Sequence, residues 1–460
     1  MQLTYSPIDN AVYVERALAN SQQITAALAL ATTAQQQWRQ TTIAQRQAIC
    51  HQMVDAFMAN QAEIAEQLCW MIGRPIRYAT GEVAGLVERA RYMIDAAESA
   101  LKTIELTELP NVTRYIKRQP LGVVLVVAPW NYPYLTAINS IIPAIMAGNA
   151  VILKHSAQTP LCAEQLYGAF RQAKLPTGVF QYLHLSHSAT ESMIKDRQII
   201  HVAFTGSVTG GAAIEQAASG RFIGVGLELG GKDAAYVRCD ADIERAVDSI
   251  VDGGFFNSGQ SCCGIERVYV HADVYQQFVT QAAALIKQYR LGRPDDPNTT
   301  LGPMVKAAAA DFVRGQISEA VDAGAIAHID PQHFPLDQAG SAYLAPQLLT
   351  NVNHSMRVMM QESFGPVVGV MVVHSDEQAV GLINDSEFGL TASIFTRDMA
   401  AAVAIGEQLE VGTLMVNRCD YLDPALAWTG VKNSGRGCTL SSLGYQSLTR
   451  AKSFYLKAQD

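Results

Sequence analysis

A cysteine, a glutamate and an asparagine are the residues of this 460-residue chain whose types and spacing could do chemistry. Cys262 lies in FNSGQSCC, and Glu228 lies 34 positions earlier in GLELGGKD. Asn131 follows an apolar run, in PWNYP at residues 129–133. A thiolate attacks carbonyl carbon. The glycine turn before Cys262 would expose the sulfur and leave backbone N–H groups facing it. Attack on an aldehyde makes a tetrahedral oxyanion, which needs donors already aimed at it. The Asn131 amide and the Cys262 backbone N–H are the candidates. Loss of hydride then leaves a thioester, and a base must activate water against it. Glu228 sits among Leu227, Leu229 and glycines. Such an apolar setting raises a carboxyl pKa toward neutrality, which suits a general base. The three together would suffice to turn an aldehyde into an acid. Singly, each has a plainer reading: a small buried thiol, a turn-forming asparagine, a loop acid. Cys263 keeps the plainer reading.

The elements around these residues alternate. LGVVLVVAP from residue 121 and AVILK at residues 150–154 are continuous apolar runs, as expected for strands buried on both faces. VFQYLHL at residues 179–185 and HVAFTG at residues 201–206 follow, with a helix over residues 160–173 between. Strands alternating with helices imply a parallel, doubly wound α/β sheet. The alternation resumes after Lys232 with AAYV, ERVYVHA, VVGVMVVH, TASIFT and GTLMVN, separated by helical stretches. A second α/β domain is expected there. Residues 21–71 and 82–101 carry Ala, Gln and Leu at helical spacing and predict two or three amphipathic helices. Residues 112–118 read as a strand with one wet face, and the KSFYLK tail as another edge strand.

Composition bounds the rest. The chain is 49% hydrophobic and 17% charged, with net charge −8 and both signs interspersed. Nothing in it suggests nucleic acid or an anionic membrane surface as partner. The first twenty residues carry Asp9, Glu15 and Arg16 and no apolar segment, so no secretory signal is expected there. Residues 134–153 are uncharged, but Asn139, Ser140, Pro143, Gly148 and Asn149 favour a buried helix and strand over a membrane span. Eight cysteines without regular spacing fit reduced thiols in a cytoplasm. The ten histidines show no ligand spacing, so no metal is expected.

A hydride acceptor is needed, and a parallel sheet with glycine turns is the usual home of a nicotinamide dinucleotide. No G-x-G-x-x-G is present. FTGSVTGG at residues 204–211 is a looser match, in which Gly206 and Ser207 would meet phosphate at a helix N-terminus. Lys154, ending the second strand, would face a ribose hydroxyl or a phosphate.

With PWNYP, FTGS, LELGGK, GQSCC, ESFGP and GVKNSG in that order, the chain resembles the NAD(P)-dependent aldehyde dehydrogenase superfamily over nearly its whole length. The resemblance implies Cys262 as nucleophile, Glu228 as base and Asn131 as oxyanion donor. It implies a cofactor site of Trp130, Lys154, Ala157, Gly206, Ser207, Leu229, Glu362 and Phe364. In that site Lys154 and Glu362 hold the two riboses, and Ser207 meets the pyrophosphate. It implies a Rossmann-type cofactor domain (residues 1–101 and 121–229), an α/β catalytic domain (230–440) and a small β oligomerisation arm (102–120 and 441–460). Such arms pair across subunits, so a homodimer or homotetramer is expected.

Two departures bear on specificity. NAD-preferring members commonly place a glutamate where this chain has Ala157. Its absence removes repulsion of a 2′-phosphate. NADP is therefore expected to be accepted beside NAD, with Lys154 and His155 favouring the phosphate. Many succinic semialdehyde dehydrogenases carry an arginine eight residues beyond the oxyanion asparagine, where this chain has Asn139. The usual PFGG is replaced by Ala427-Trp428-Thr429-Gly430. By the same matching, Tyr132, Thr136, Asn139, Phe256, Tyr421, Leu422 and Trp428 line the substrate tunnel. That wall is aromatic and uncharged, with Arg418 as the one nearby cation. Apolar aliphatic or aromatic aldehydes are the expected substrates. The alternatives are a succinic-semialdehyde-type dehydrogenase, a CoA-acylating enzyme, which would commonly lack Glu228, and a catalytically idle member.

Overall fold

A strand with no polar side has no face to offer water, so the uncharged runs of this chain are covered on both faces. In the computed structural model, which describes residues 1–458, Val123–Val127 and Ala150–Lys154 are buried at every position. They lie in a six-stranded sheet ordered Gly435–Arg436, Gly224–Glu228, Ile199–Thr205, Val123–Val127, Ala150–Lys154, Phe180–Tyr182. Every pair is parallel except the one made by the edge strand Gly435–Arg436. Asp233–Val237 is also buried throughout and belongs to a seven-stranded sheet. Its order is Ile326–Ala327, Gln347–Thr350, Val367–Val373, Ile265–His271, Asp233–Val237, Thr391–Phe395, Thr413–Val416. Here too one edge strand, Ile326–Ala327, is antiparallel and the other pairs are parallel.

Residues 134–153 form a buried helix, Pro133–Met146, running into the strand Ala150–Lys154. Pro133 stands in the helix's first turn, where its missing N–H takes no bond from the ladder. The N-terminal helical region holds four helices rather than two or three: Ser21–Trp38, Ile43–Ala59, Gln61–Ile72 and Ile76–Ala100. Asn60 alone separates the second from the third. Their apolar faces, the helix Pro133–Met146 and one face of the six-stranded sheet share the largest core cluster. A second cluster fills one face of the seven-stranded sheet. The hairpin of Gln2–Tyr5 with Val12–Arg16 and the helix Ala307–Asp322 are elements for which the sequence analysis made no assignment.

The tail strand Thr449–Lys457 pairs antiparallel along the whole of Val112–Pro120, with Ile104–Glu105 on the outer edge. Tyr115 and Phe454 stack across this sheet, ring centres 4.6 Å apart. Ile104, Tyr455 and Leu456 are exposed on it. All eight cysteines are free thiols. Among the described residues, no helix is long and apolar enough to cross a membrane.

Candidate active site

The turn that carries Cys262 is a strained one. Asn257, Ser258 and Gly259 lie in sequence at φ 52°, 57° and 70°, in the left-handed region. Two of the three are not glycine, and such residues persist only where their surroundings hold them. Ser258 Oγ donates to the Gly302 carbonyl at 2.7 Å, and Val305 N–H donates to Gln260 Oε1 at 2.8 Å. Asn257 Nδ2 donates to the carbonyls of Asn131 and Gln260, both at 3.3 Å. Gly259 admits no side chain, because a Cβ there would overlap the Gly365 carbonyl. The same holds at Gly231 against the Cys262 carbonyl, which explains the second glycine of LELGGK. The turn leaves Cys262 half-buried and Cys263 buried, the Cys263 thiol donating to Asp420 Oδ1 at 3.0 Å.

Asn131 is buried, and its Nδ2 donates to the Gln260 carbonyl at 3.2 Å. That bond aims the amide and uses one of its two N–H groups. Its backbone carbonyl is held by Arg74, which Glu82 in turn holds, and neither residue lies in a recognisable motif. Arg74 Nη2 donates to the Asn131 carbonyl at 2.6 Å, Nε donates to Asn257 Oδ1 at 3.2 Å, and Nη1 pairs with Glu82. Glu82 in turn accepts the N–H groups of Tyr134 and Leu135, at 2.9 and 3.1 Å. Those are otherwise unpaired donors at the start of the helix Pro133–Met146.

Cys262 and Asn131 open on a cavity of about 700 Å³ whose wall also holds Trp130, Thr136 and Lys154. Gly206, Ser207, Leu229, Glu362 and Phe364 complete the sequence-derived part of that wall. Ser207 caps the helix Val208–Ala218, its Oγ accepting from Gly210 N–H at 3.1 Å. The helix's first turn, with Thr209 and Gly210, lines the cavity, and the N–H groups ahead of the capped Gly210 are those open to an anion. Lys154 is buried, its ammonium makes no hydrogen bond or ion pair among the described residues, and burial lowers its pKa. Glu362 is pushed up to about 7 by burial and by the charge of Glu266, although Gly231 N–H and Lys232 pull the other way. Trp130 meets Phe364 edge-on, ring centres 5.7 Å apart. Ser156, His187, Thr190, Glu191, Ala213 and Ile214 also line the cavity. None lies in a recognisable motif, and only their places in the fold reveal them.

Two expectations need correction, and a third residue lies apart. Ala157 is exposed and outside the cavity wall, its carbonyl accepting from Thr4 Oγ1 at 2.7 Å; Ser156 takes the wall position. His155 is buried, with Nε2 3.1 Å from the Pro133 carbonyl, and burial pushes it down to about 3. It is a neutral residue facing inward, with no charge to give a phosphate. Glu228 does not share the wall of the large cavity. Its carboxylate accepts from Thr205 Oγ1 at 3.0 Å and Thr439 Oγ1 at 2.5 Å, beside a smaller cavity of about 190 Å³. Burial raises its pKa against the pull of those two hydroxyls, as the sequence setting suggested.

The tunnel residues are dispersed. Thr136 lines the large cavity. Tyr132 lies under the Arg74 guanidinium, 4.7 Å from ring centre to Cζ, and Phe256 packs on Tyr78 at 5.4 Å. Tyr421, Leu422 and Trp428 instead line a separate cavity of about 270 Å³ with Arg418, whose Cζ stands 3.5 Å over the Tyr421 ring. Asn139 is buried, and its Oδ1 accepts from Arg89 Nη1 at 3.4 Å. The expected wall is therefore not one surface, and a buried arginine from another helix touches one of its expected members, Asn139. At the surface, Cys239, His271 and Asp273 bring three ligand atoms within 4.8 Å of one another, a grouping no sequence spacing marks.

The sheet order, the strained cysteine turn and the shared cavity define an oxidoreductase of the aldehyde dehydrogenase type. The aldehyde dehydrogenase family model matches residues 2–454, and the chain belongs to that family. It is 34% identical to a succinate semialdehyde dehydrogenase of Escherichia coli (strain K12), named for NAD(P)+, over 93% of this chain and 91% of that one. It is 32% identical to an NADP(+)-named succinate-semialdehyde dehydrogenase of Mycobacterium tuberculosis, over 95% and 96%. The crystal structure of succinic semialdehyde dehydrogenase from Streptococcus pyogenes with NADP+ superposes with a TM-score of 0.94 at 29% identity, each chain covered in full.

Proposed function

We propose that this chain oxidises aldehydes to carboxylic acids, with Cys262 as nucleophile, Asn131 as oxyanion donor and Glu228 as base. The observation that carries the reading is the shared cavity: Cys262 and the aimed Asn131 amide stand in one wall with Lys154, Glu362 and the helix N-terminus at Ser207. The Cys262 sulfur adds to the carbonyl carbon, and the oxyanion takes the free Asn131 N–H and the Cys262 backbone N–H. A nicotinamide dinucleotide held in this cavity would supply the hydride acceptor, and loss of the hydride leaves a thioester on Cys262. Glu228 then takes a proton from water, which attacks the thioester and releases the acid and the thiolate. To do so its carboxylate leaves Thr205 and Thr439 and swings toward the sulfur.

An unpartnered buried ammonium, a carboxylate near neutrality and a row of N–H groups fit a dinucleotide's ribose and phosphate groups. Lys154 and Glu362 would hold the riboses, Ser207 and Gly206 would receive the pyrophosphate, and Trp130, Leu229 and Phe364 would pack beside it. Ser156, which takes the wall position in place of Ala157, carries no charge to repel a 2′-phosphate, so both NADP and NAD are accepted, in keeping with the cofactors named for the relatives. The six-stranded sheet belongs to the cofactor domain, the seven-stranded sheet to the catalytic domain, and the three-stranded sheet is the arm through which a dimer or tetramer forms. A cytoplasmic setting keeps its thiols reduced. Glu228 favours hydrolysis of the thioester over transfer to CoA.

The test is absorbance at 340 nm with purified protein, a neutral aldehyde such as butanal, and NAD or NADP. Reduced cofactor forms with the intact chain and not with Cys262→Ala. No signal from either cofactor over a panel of aldehydes overturns the reading. A KM for NADP more than a hundredfold above that for NAD overturns the cofactor part.

A further inference from the structure

Arg89 sits in the middle of the helix Ile76–Ala100 and is 8% exposed. Its Nη1 donates to the Leu135 carbonyl at 3.0 Å and to Asn139 Oδ1 at 3.4 Å. Nε and Nη2 meet no acceptor among the described residues, and no carboxylate forms an ion pair with the group. The guanidinium stays charged at any working pH, although burial lowers its pKa. A buried cation without a counter-ion is costly, so its partner is expected to arrive from outside.

Its location says what that partner is. Leu135 and Asn139 belong to the helix that follows Asn131, and Thr136 of that helix lines the cavity of Cys262. Arg89 lies within electrostatic reach of the Glu228 carboxylate. Glu82 and Asp420 also act on it. Glu82 is already paired with Arg74, and Asp420 accepts Ser261 Oγ–H and the Cys263 thiol. The edge left open, Nε with Nη2, is the one that grips a carboxylate through two parallel hydrogen bonds. Asn139, whose side chain is a neutral acceptor, helps hold the guanidinium in place.

We propose that Arg89 selects the substrate by binding a carboxylate at the far end of a short aldehyde acid while Cys262 attacks the other end. This rests on the aldehyde-oxidising reading above and replaces the expectation of an apolar substrate. The cation comes from the helix Ile76–Ala100, not from the position of Asn139. A specificity role differs from a counter-charge role, because only the first discriminates between substrates.

The experiment compares kcat/KM for succinate semialdehyde and for butanal in the intact chain, Arg89→Met and Arg89→Lys, with NADP. The intact chain is expected to favour the acid at least tenfold. Arg89→Met is expected to cut that preference at least tenfold, chiefly through KM, and Arg89→Lys to recover part of it. An intact chain that favours butanal, or an Arg89→Met variant that loses both substrates equally, overturns the proposal. A second measurement needs no variant. Succinate is expected to inhibit butanal oxidation competitively and its diamide far less, and equal inhibition by the two overturns the proposal. Turnover of butanal that depends on Cys262 keeps the aldehyde-oxidising reading standing even if Arg89 proves irrelevant.

Discussion

Arg74 and Arg89 lie just before and within one helix, and both are buried, yet the chain treats them in opposite ways. Arg74 spends its guanidinium on Glu82, Asn257 and Asn131, all inside the protein. Arg89 spends one nitrogen and leaves two. Two lysines repeat the contrast. Lys232 is buried against Glu266 and Ser363, whereas Lys154 faces the cavity with no partner. Buried polar groups are nearly always satisfied. One whose bonding capacity is used up holds the architecture, and one with capacity left over marks a place where a ligand completes it.

The strongest attempt to break this comparison is on stability. Arg74→Met strands Glu82 as a buried, unpaired acid and is expected to cost about 3–5 kcal/mol in urea unfolding. Arg89→Met strands no charge, only the neutral Asn139 acceptor, and is expected to cost far less. Equal losses would mean that both arginines are architectural. Next in size is Asn131→Ala. With one oxyanion donor gone, kcat is expected to fall about 10²–10³-fold, or about 3–4 kcal/mol of barrier. The Arg74 bond to the Asn131 carbonyl is a backbone contact and survives the change. A variant with near-normal kcat would remove Asn131 from the chemistry.

The smallest effect separates Glu228 from its surroundings. Burial raises the Glu228 carboxyl above the ordinary 4.5, and the Thr439 hydroxyl, by bonding the charged form, lowers it. Thr439→Val removes the lowering influence, so the pKa rises further. The base works deprotonated, so activity on the acid side falls. The acid limb of the kcat–pH profile is therefore expected to move to higher pH. A limb that stays in place, or moves down, would show that Glu228 does not control it.

Much of the site was legible along the chain. Asn131, Glu228 and the turn at residues 204–211 each sit where a strand ends in a glycine or proline turn, and Cys262 follows a glycine turn at a helix end, which local pattern reveals. The paired strands at residues 112–120 and 449–457 were legible as well, because each alternates in character. Arg74, Glu82 and Arg89 were not. They sit in or beside a helix whose other charged residues, such as Glu88 and Arg91, face solvent, and sequence spacing does not separate the two kinds. Tyr421, Leu422 and Trp428 were assigned to the tunnel by matching alone, and the loop that carries them turns toward another cavity.

By itself the sequence determined the order of strands and helices, the family, and the types of residue available for thioester chemistry. These depend on local periodicity and on glycines that tolerate no side chain. Tertiary structure alone decided which buried charges find partners. A guanidinium is satisfied or left open by groups far away in the chain, and no local pattern records where those groups come to rest.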